Sequence, residues 1–209
     1  MREAQQHLML QQRKKRKIWI SSDFHFSHSN VIKFCPESRG QFQSVDEMGE
    51  TLVNNLNSDI SVDDTLIIVG DIGFGKPAVT CDYLNRINGK KIIIWGNHDT
   101  RLRYSTEFAS VKNIIGTYDY LEFTHIIDDK KHHICVMHFP LMEWHRKHHG
   151  AINLFGHRHT PASKNIPTNR SMDIGIDGGM MRPHLVDNLC IKLSEIPFKD
   201  IRYDAVDCT

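Results

Sequence analysis

The sequence has no long apolar run, no paired cysteine motif and no excess of either charge. No segment of its 209 residues approaches the roughly 18 consecutive apolar positions that a membrane-spanning helix needs. Its five cysteines are odd in number and dispersed, which argues against a disulfide framework or a thiolate zinc site. The amino terminus lacks the apolar core of a secretory signal. We therefore expect a cytoplasmic protein with reduced thiols and no membrane partner.

Charge and histidine content narrow the function classes further. The net charge of +1 provides no global field for nucleic acid, so any such binding needs a local patch. Histidine is abundant, with 14 residues, and it is both a common metal ligand and a proton-transfer group at neutral pH. The hydrophobic fraction of 40% is ordinary for a globular protein. Composition thus indicates a folded protein with the means for metal chemistry.

The chain divides into a short amino-terminal segment and one domain. Residues 1–17 end in a basic run at 13–17, which we interpret as a solvated tail or a fraying helix. The alternative is an arm that contacts RNA or another polyanion. Because no linker or internal repeat follows, residues 18–209 are predicted to form a single domain.

Short apolar runs rich in β-branched residues predict buried strands at 18–20, 66–69, 92–95, 134–137 and 152–155. Two later segments, 172–176 and 189–193, alternate more and predict strands with one wetter face. Between the runs, Ser44 and Glu47 form a capping box, and Pro77 marks the first turn of a second helix. This alternation predicts a layered α/β fold with one mixed sheet or two packed sheets.

Each apolar run is followed directly by polar side chains that are able to bind a metal. In chain order these residues are Asp23, His25, Asp71, Asn97, His98, Asp99, His138, His157 and His159. The carboxyl ends of strands form the ligand crevice of α/β sheets, so groups far apart in sequence converge there. A single Asp-x-His or Gly-Asp pair is weak evidence for a site. Polar, potentially ligating residues follow all five apolar runs, however, and together they favour one common site.

The chemistry of this set points to divalent ions. Carboxylate, imidazole and amide oxygen without thiolate suit Mn²⁺, Fe²⁺, Zn²⁺ or Ni²⁺. Without His98 and Asp99, seven of these residues remain as ligands. Seven ligands are too many for one tetrahedral ion, but they suffice for two ions about 3.5–4 Å apart that share a bridging carboxylate. We expect two divalent ions, with Mn²⁺ as the leading choice.

Five sequence motifs, in this order, resemble those of the calcineurin-like metallophosphoesterases over residues 18 to about 180: Asp23-x-His25, Gly70-Asp71, Gly96-Asn97-His98-Asp99, His138 and Gly156-His157-x-His159. The stretch 23–32 is also similar to small stand-alone phosphoesterases of bacteria and phages, although Ser27 stands where Gly is usual. Asp173 replaces an Asn of their strand motif, which covers 173–177 here. The resemblance implies a layered α/β/β/α sandwich with two mixed β-sheets.

The resemblance also implies a role for each matching residue. One ion would be bound by Asp23, His25, Asp71 and His159, and the other by Asp71, Asn97, His138 and His157. A hydroxide that bridges the ions would attack phosphorus. His98 is the candidate proton donor to the leaving oxygen, with Asp99 orienting it. Candidate substrate-binding residues, each with an ordinary surface or capping role as its alternative, are His28, Asn30, Arg39 and Arg101.

We therefore expect a two-metal phosphoesterase that acts on a nucleotide-like substrate. Phosphodiesters are favoured over phosphomonoesters because the short chain leaves an open site. One alternative is a nuclease or phosphatase that processes nucleic acid with the help of the basic run at 13–17. A third hypothesis, a non-catalytic protein-binding scaffold, is less favoured because a scaffold has no need of seven ligands together with His98.

Overall fold

The computed structural model describes residues 1–197. In chain order its strands are Ile18–Ser21 (β1), Thr65–Val69 (β2), Lys90–Ile94 (β3), Ile114–Tyr118 (β4), Tyr120–Ile127 (β5), Lys130–Met137 (β6), Ile152–Phe155 (β7), Ser171–Asp173 (β8) and His184–Leu185 (β9). Its α-helices are Arg2–Arg13 (α1), Val31–Phe34 (α2), Pro36–Arg39 (α3), Val45–Asp59 (α4), Pro77–Arg86 (α5), Thr100–Arg103 (α6) and Val186–Ser194 (α7). Short 3₁₀ helices cover Glu107–Ser110 and Lys147–His149.

The strands form two mixed sheets. The first has the order β4-β3-β2-β1-β9, in which β1 to β4 are parallel and β9 is antiparallel to β1. The second has the order β5-β6-β7-β8, in which β6, β7 and β8 are parallel and β5 is antiparallel to β6. The predicted layered α/β fold with two mixed β-sheets is confirmed.

The two sheets are packed together through buried apolar side chains that both contribute to one core. Every residue of β1 and β2 is buried. Ile18 and Ile20 of β1 point into the core between the sheets, whereas Trp19 points to the other side, where α4 and α5 cover the first sheet. Both α1 and α7 contribute buried side chains to the core between the sheets. Parallel strands buried on both faces therefore explain the continuous apolar runs.

Most predicted elements are found in the structure. The five buried runs correspond to β1, β2, β3, β6 and β7. The Ser44 side chain accepts a hydrogen bond from the Glu47 backbone N–H at 3.1 Å and so caps α4, and Pro77 begins α5. These local signals agree with the tertiary structure because capping and a fixed proline φ act within one helical turn.

Two predictions of secondary structure differ from the structure, and some strands were not predicted. The strand predicted at 189–193 is wrong, because this segment lies in α7, where Val186, Leu189 and Leu193 are buried at helical spacing. The strand predicted at 172–176 is present only as the short β8. The prediction also missed β4 and β5, whose residues are mostly half-buried or alternate between buried and half-buried.

The amino-terminal segment, which we interpreted as a solvated tail or a fraying helix over residues 1–17, contains the packed helix α1. Leu8 is fully buried in the core between the sheets. The side-chain amides of Gln5 and Gln12 donate hydrogen bonds to two carbonyl groups of β5, at 2.7 and 3.2 Å. Helix α1 therefore belongs to the folded domain, and the basic run at 13–17 leads from it into β1.

Two expectations concern properties of the whole chain. Within residues 1–197 we find no helix with both the length and the apolar content required to cross a bilayer. The cysteines Cys35, Cys81, Cys135 and Cys190 are free thiols. Cys208, and the end of the predicted domain at residue 209, lie outside the described residues.

Replacing Leu8 by Ala tests whether α1 is part of the core. The substitution removes buried methyl groups, so we expect the free energy of unfolding to fall by about 2–5 kcal/mol. Its matched control is Met9→Ala in the next position, where the side chain is 50% exposed and the expected change is within about 0.5 kcal/mol. Urea unfolding of both variants measures the difference. Equal stability of the two variants would show that α1 is not a core helix.

Candidate metal centre

Loops that leave five strands meet at one place and carry the predicted ligands. Asp23 and His25 follow β1, Asp71 follows β2, Asn97 follows β3, His138 follows β6, and His157 and His159 follow β7. Parallel pairing continues past the strands, since the backbone N–H of His25 donates to the carbonyl of Asp71 at 3.0 Å. The two sheets are linked here as well, because the His157 N–H donates to the Asp23 carboxylate at 3.0 Å.

The seven predicted ligands form two groups around Asp71. Ligand atoms of Asp23, His25 and His159 lie within 4.8 Å of one another, as do those of Asp71, His138 and His157. The Asp71 Oδ2 atom lies 3.6 Å from His25 Nε2 and 3.4 Å from His138 Nε2. Asn97 Oδ1 lies 3.0 Å from His138 Nε2. The structure thus brings all seven together, with the Asp71 carboxylate between the two groups.

The backbone at the ligands is turned into an uncommon conformation. Positive φ angles occur at Asp23 (60°), His25 (51°), Asp71 (52°), His157 (72°) and His159 (50°). Asp and His tolerate this left-handed region better than most residues, but it still carries strain. The turned backbone directs side chains of consecutive loops toward a common centre, which an extended strand end does not do.

Two glycines give the carboxylates room. A Cβ atom on Gly96 would overlap the Asp71 carboxylate, and a Cβ atom on Gly156 would overlap the side chains of Ser22 and Asp23. The absence of a side chain at both positions therefore lets the loops after β3 and β7 approach the carboxylates closely.

The hydrogen bonds of the histidines direct their other ring nitrogens toward the carboxylates and toward one another. The Nδ1 atom of His138 donates to the carbonyl of Val69 at 2.9 Å, so the neutral ring has a lone pair on Nε2, which faces the Asn97 and Asp71 oxygens. His159 Nδ1 donates to Asp177 at 2.8 Å, and its Nε2 lies 3.1 Å from His25 Nε2. Converging acceptors need a shared cation, and this donor set of imidazole, carboxylate and amide oxygen fits divalent ions.

The pKa values of the candidate ligands also indicate that this site attracts positive charge. Burial opposes protonation of His159, but its hydrogen bonds with Asp177 and Cys35 and the negative charges of Asp23 and Asp177 raise its pKa to about 10, so a metal ion bound at Nε2 would displace a proton. Although burial opposes it, interaction with His138 and the backbone hydrogen bond from His98 hold the pKa of Asp71 near 2. Burial lowers the pKa of His25 to about 2, so this ring is neutral and one of its nitrogens has a lone pair for a metal.

Asp99 has a different position from the one expected. It is fully buried, and its two oxygens accept three backbone hydrogen bonds, from Asp71 at 2.8 Å, Ile72 at 2.9 Å and Gly96 at 2.9 Å. The expectation that Asp99 orients His98 is therefore corrected, because the carboxylate is committed to the backbone. Asp99 instead ties the loop after β2 to the loop after β3.

His98 lies at the open edge of the ligand groups. Its side chain is 40% exposed, and its Nε2 atom is 3.9 Å from Asp71 Oδ2. Its backbone N–H donates to Asp71 Oδ1 at 2.9 Å, which fixes the residue beside the proposed bridging carboxylate. The imidazole is thus accessible to a bound substrate without being enclosed among the ligands.

One of the four candidate substrate-binding residues is buried. Arg39 is fully buried and donates hydrogen bonds to both Asp177 oxygens, at 2.8 and 2.7 Å. Its guanidinium is therefore not available to a substrate phosphate, which corrects the expectation. The other three remain predictions: the His28 ring centroid is 5.2 Å from that of His25, Asn30 is exposed at the start of α2, and Arg101 is exposed in α6.

Asp177 is a functional candidate that the residue-by-residue reading missed. It connects Arg39 to His159 and is almost fully buried. Such a carboxylate orients a ligating imidazole and fixes its tautomer. A signal for it was present, since Asp177 ends the motif stretch 173–177, but only the fold brings Arg39 to it.

Comparisons with known proteins identify relatives of the chain. The model of the family described as calcineurin-like phosphoesterase matches residues 16–178. An uncharacterized protein of Methanocaldococcus jannaschii is 37% identical over 86 residues, which are 40% of this chain and 47%, or about half, of that relative. The gene 66 protein of Mycobacterium phage L5 is 28% identical over 186 residues, which cover 76% of this chain and 86% of the phage protein.

A solved structure supports the fold. A protein of unknown function from Aquifex aeolicus is similar with a TM-score of 0.60 and 19% sequence identity. The similarity covers 83% of this chain and 97% of that protein. The shared architecture therefore extends well beyond the strands that carry the ligands.

Replacing Asp177 by Asn tests its role in orienting His159. The amide is a weaker acceptor for the imidazole N–H, so we expect the affinity for Mn²⁺ to fall by about 10- to 100-fold. Isothermal titration with Mn²⁺ measures the affinity, and circular dichroism verifies that the variant is folded at the titration temperature. The matched control is Asp187→Asn, which weakens a distant histidine–carboxylate pair, that of His125 and Asp187, with the same 2.8 Å contact. Equal affinities for the two variants would contradict the role of Asp177.

Proposed function

This chain belongs to the calcineurin-like phosphoesterase family, and from that premise we propose that it is a two-metal phosphodiesterase that acts on nucleotide-like substrates. The observation that carries the proposal is the position of Asp71. Its Oδ2 atom lies within 3.6 Å of one histidine in each ligand group, which suits a carboxylate that bridges two ions.

The residues would be divided between two divalent ions as the family resemblance implies. Asp23, His25, Asp71 and His159 would hold one ion, and Asp71, Asn97, His138 and His157 the other. When bound, the ions supply a water of lowered pKa as nucleophile and offset the negative charge on the phosphoryl oxygens. The chain itself contributes the fixed arrangement of ligands, since Asp99 and the backbone bonds hold the loops before an ion arrives.

His98 is the proposed proton donor. Its exposed imidazole lies beside Asp71 and is held there by its own backbone N–H. When the bond between phosphorus and the leaving oxygen breaks, a proton from His98 would neutralise that oxygen. His98 takes this role without help from Asp99, whose carboxylate serves the backbone.

The preference for diesters follows from the exposure of the site. Asn97, His98 and His157 are all exposed, so the ligand groups are open toward solvent on their side. A phosphodiester carries a substituent on each of two ester oxygens and needs such space. The exposure also suits substrates that are larger than a free nucleotide.

The alternative of a nucleic-acid arm is disfavoured by the position of the basic run. Residues 13–17 enter β1 at its amino end, whereas the ligands follow its carboxyl end, about 13 Å away for a strand of four residues. Arg16 is also paired with Asp63, and the Lys17 backbone N–H donates to Asp64. The position and contacts of the basic run therefore favour a structural role at the junction between α1 and β1 over contact with a substrate.

The experiment that tests the function is a screen of Mn²⁺-loaded protein against phosphomonoesters, phosphodiesters, cyclic nucleotides and short oligonucleotides. We expect hydrolysis with a preference for diesters. Asp71→Asn removes the proposed bridging charge and should lower activity by at least about 10²-fold together with the affinity for both ions. If metal-loaded wild-type protein hydrolyses no phosphoester, the proposed function is wrong.

His98→Ala tests the proton donor separately from the metals. We expect kcat to fall by about 10²–10⁴-fold for a diester with an alkyl leaving group, while the metal content stays at the wild-type value. The loss should be smaller with p-nitrophenolate, which leaves without a proton. His149→Ala, at an exposed position of the 3₁₀ helix Lys147–His149, is the control and should not change kcat. Loss of bound metal in the His98 variant would instead make His98 a ligand.

A further inference from the structure

Two phenylalanines border the candidate metal centre, each beside a different group of ligands. Phe74 is 45% exposed, and Phe139 is 39% exposed. Large aromatic side chains are normally buried, and these two remain exposed at the rim of a polar site. Packing of the core therefore does not account for either ring.

Phe74 is a fixed surface next to the first ligand group. Its ring stacks on His28 with a centroid distance of 4.6 Å and an interplanar angle of 30°, and meets His98 edge to face at 5.6 Å. Its backbone N–H donates to the carbonyl of Phe26 at 2.7 Å, which extends the parallel pairing of the loops after β1 and β2. The ring is thus already ordered before a ligand stacks on it.

Phe139 is the corresponding surface next to the second group. Its ring centroid lies 4.8 Å from His157 and 5.1 Å from His138, with edge-to-face angles of 62° and 77°. The next residue, Pro140, begins the lining of a cavity of about 380 Å³. The lining of this cavity is of mixed charge, since Lys147 is paired with Glu143 there and Arg158 shares the lining with Asp173.

A phosphoryl group held between the two ligand groups would have Phe74 on one side and Phe139 on the other. The Asp71 carboxylate lies between the two ligand groups. On the side of the first group, Phe74 contacts His28 and His98. On the side of the second group, Phe139 contacts His138 and His157. A monoester fills one such side, whereas a diester with a nucleobase on each arm fills both.

We propose that Phe74 and Phe139 each stack a nucleobase and that the substrate is a phosphodiester with a base on both arms, as in a dinucleotide or a single-stranded oligonucleotide. This inference rests on the proposed function and adds its substrate class. Stacking on an aromatic side chain tolerates every base, so the site selects for two bases without selecting a sequence.

The test compares three diesters under saturating Mn²⁺: methyl p-nitrophenyl phosphate with no base, thymidine 5′-(p-nitrophenyl) phosphate with one base, and the dinucleotide thymidylyl-thymidine with two. Wild-type kcat/KM for the one-base diester should exceed that for the methyl diester by at least about 5-fold. Phe74→Leu and Phe139→Leu should each lower kcat/KM for the dinucleotide at least about 5-fold more than for the methyl diester, and one of the two should do so for the one-base diester.

The control is Tyr104→Leu, an exposed aromatic whose ring packs against Arg103, and it should leave all three values unchanged. Comparing kcat/KM for the dinucleotide with kcat/KM for an octathymidylate then distinguishes a free dinucleotide from single-stranded nucleic acid as the substrate. A preference for the longer strand indicates nucleic acid. Equal losses on the methyl diester and the dinucleotide in both variants would overturn the inference and leave the proposed function intact. Absence of turnover of every diester by the wild-type protein would overturn the proposed function itself.

Discussion

Five of the seven candidate ligands adopt a left-handed backbone, and the geometry of the site depends on this constraint. For residues other than glycine, each such conformation costs on the order of 1–3 kcal/mol, so the local sequence alone does not select it. Tertiary hydrogen bonds hold it, such as those from the His25 N–H to the Asp71 carbonyl and from the His157 N–H to Asp23. The strain is offset by the packing of the two sheets, and the ligand arrangement therefore exists only in the folded domain.

Four of the buried aspartates near this centre have three different tasks. Asp23 and Asp71 face the imidazoles, Asp99 accepts three backbone N–H groups, and Asp177 joins Arg39 to His159. The side chain is the same in each case, and only its partners determine whether it holds an ion, two loops or a ligand. A carboxylate that accepts backbone N–H groups is satisfied and has little capacity left for a neighbouring side chain.

Features that depend on local patterns could be predicted from the sequence, whereas roles that depend on contacts with distant residues could not. Buried parallel strands produce continuous apolar runs, so the strands and the ligands at their ends were readable in order. Helix α7 was misread because Leu189 and Leu193 fit both a strand of period two and a helix of period 3.6. The tasks of Arg39, Asp99 and Asp177 depend on contacts over 138, 28 and 18 residues, respectively, and no local pattern encodes such contacts.

Stability alone does not explain why Arg39 and Asp177 form a buried ion pair. Burial of two charges is often no more stabilising than apolar residues of the same volume would be, because desolvation opposes the attraction. Here Asp177 accepts from His159 as well, and Arg39 also donates to the carbonyl of Asp23, so one guanidinium braces two ligands of the same proposed ion. An apolar replacement would fill the volume but leave both ligands unoriented. The pair is therefore best understood as part of the metal centre, reaching it from the helical layer behind β1.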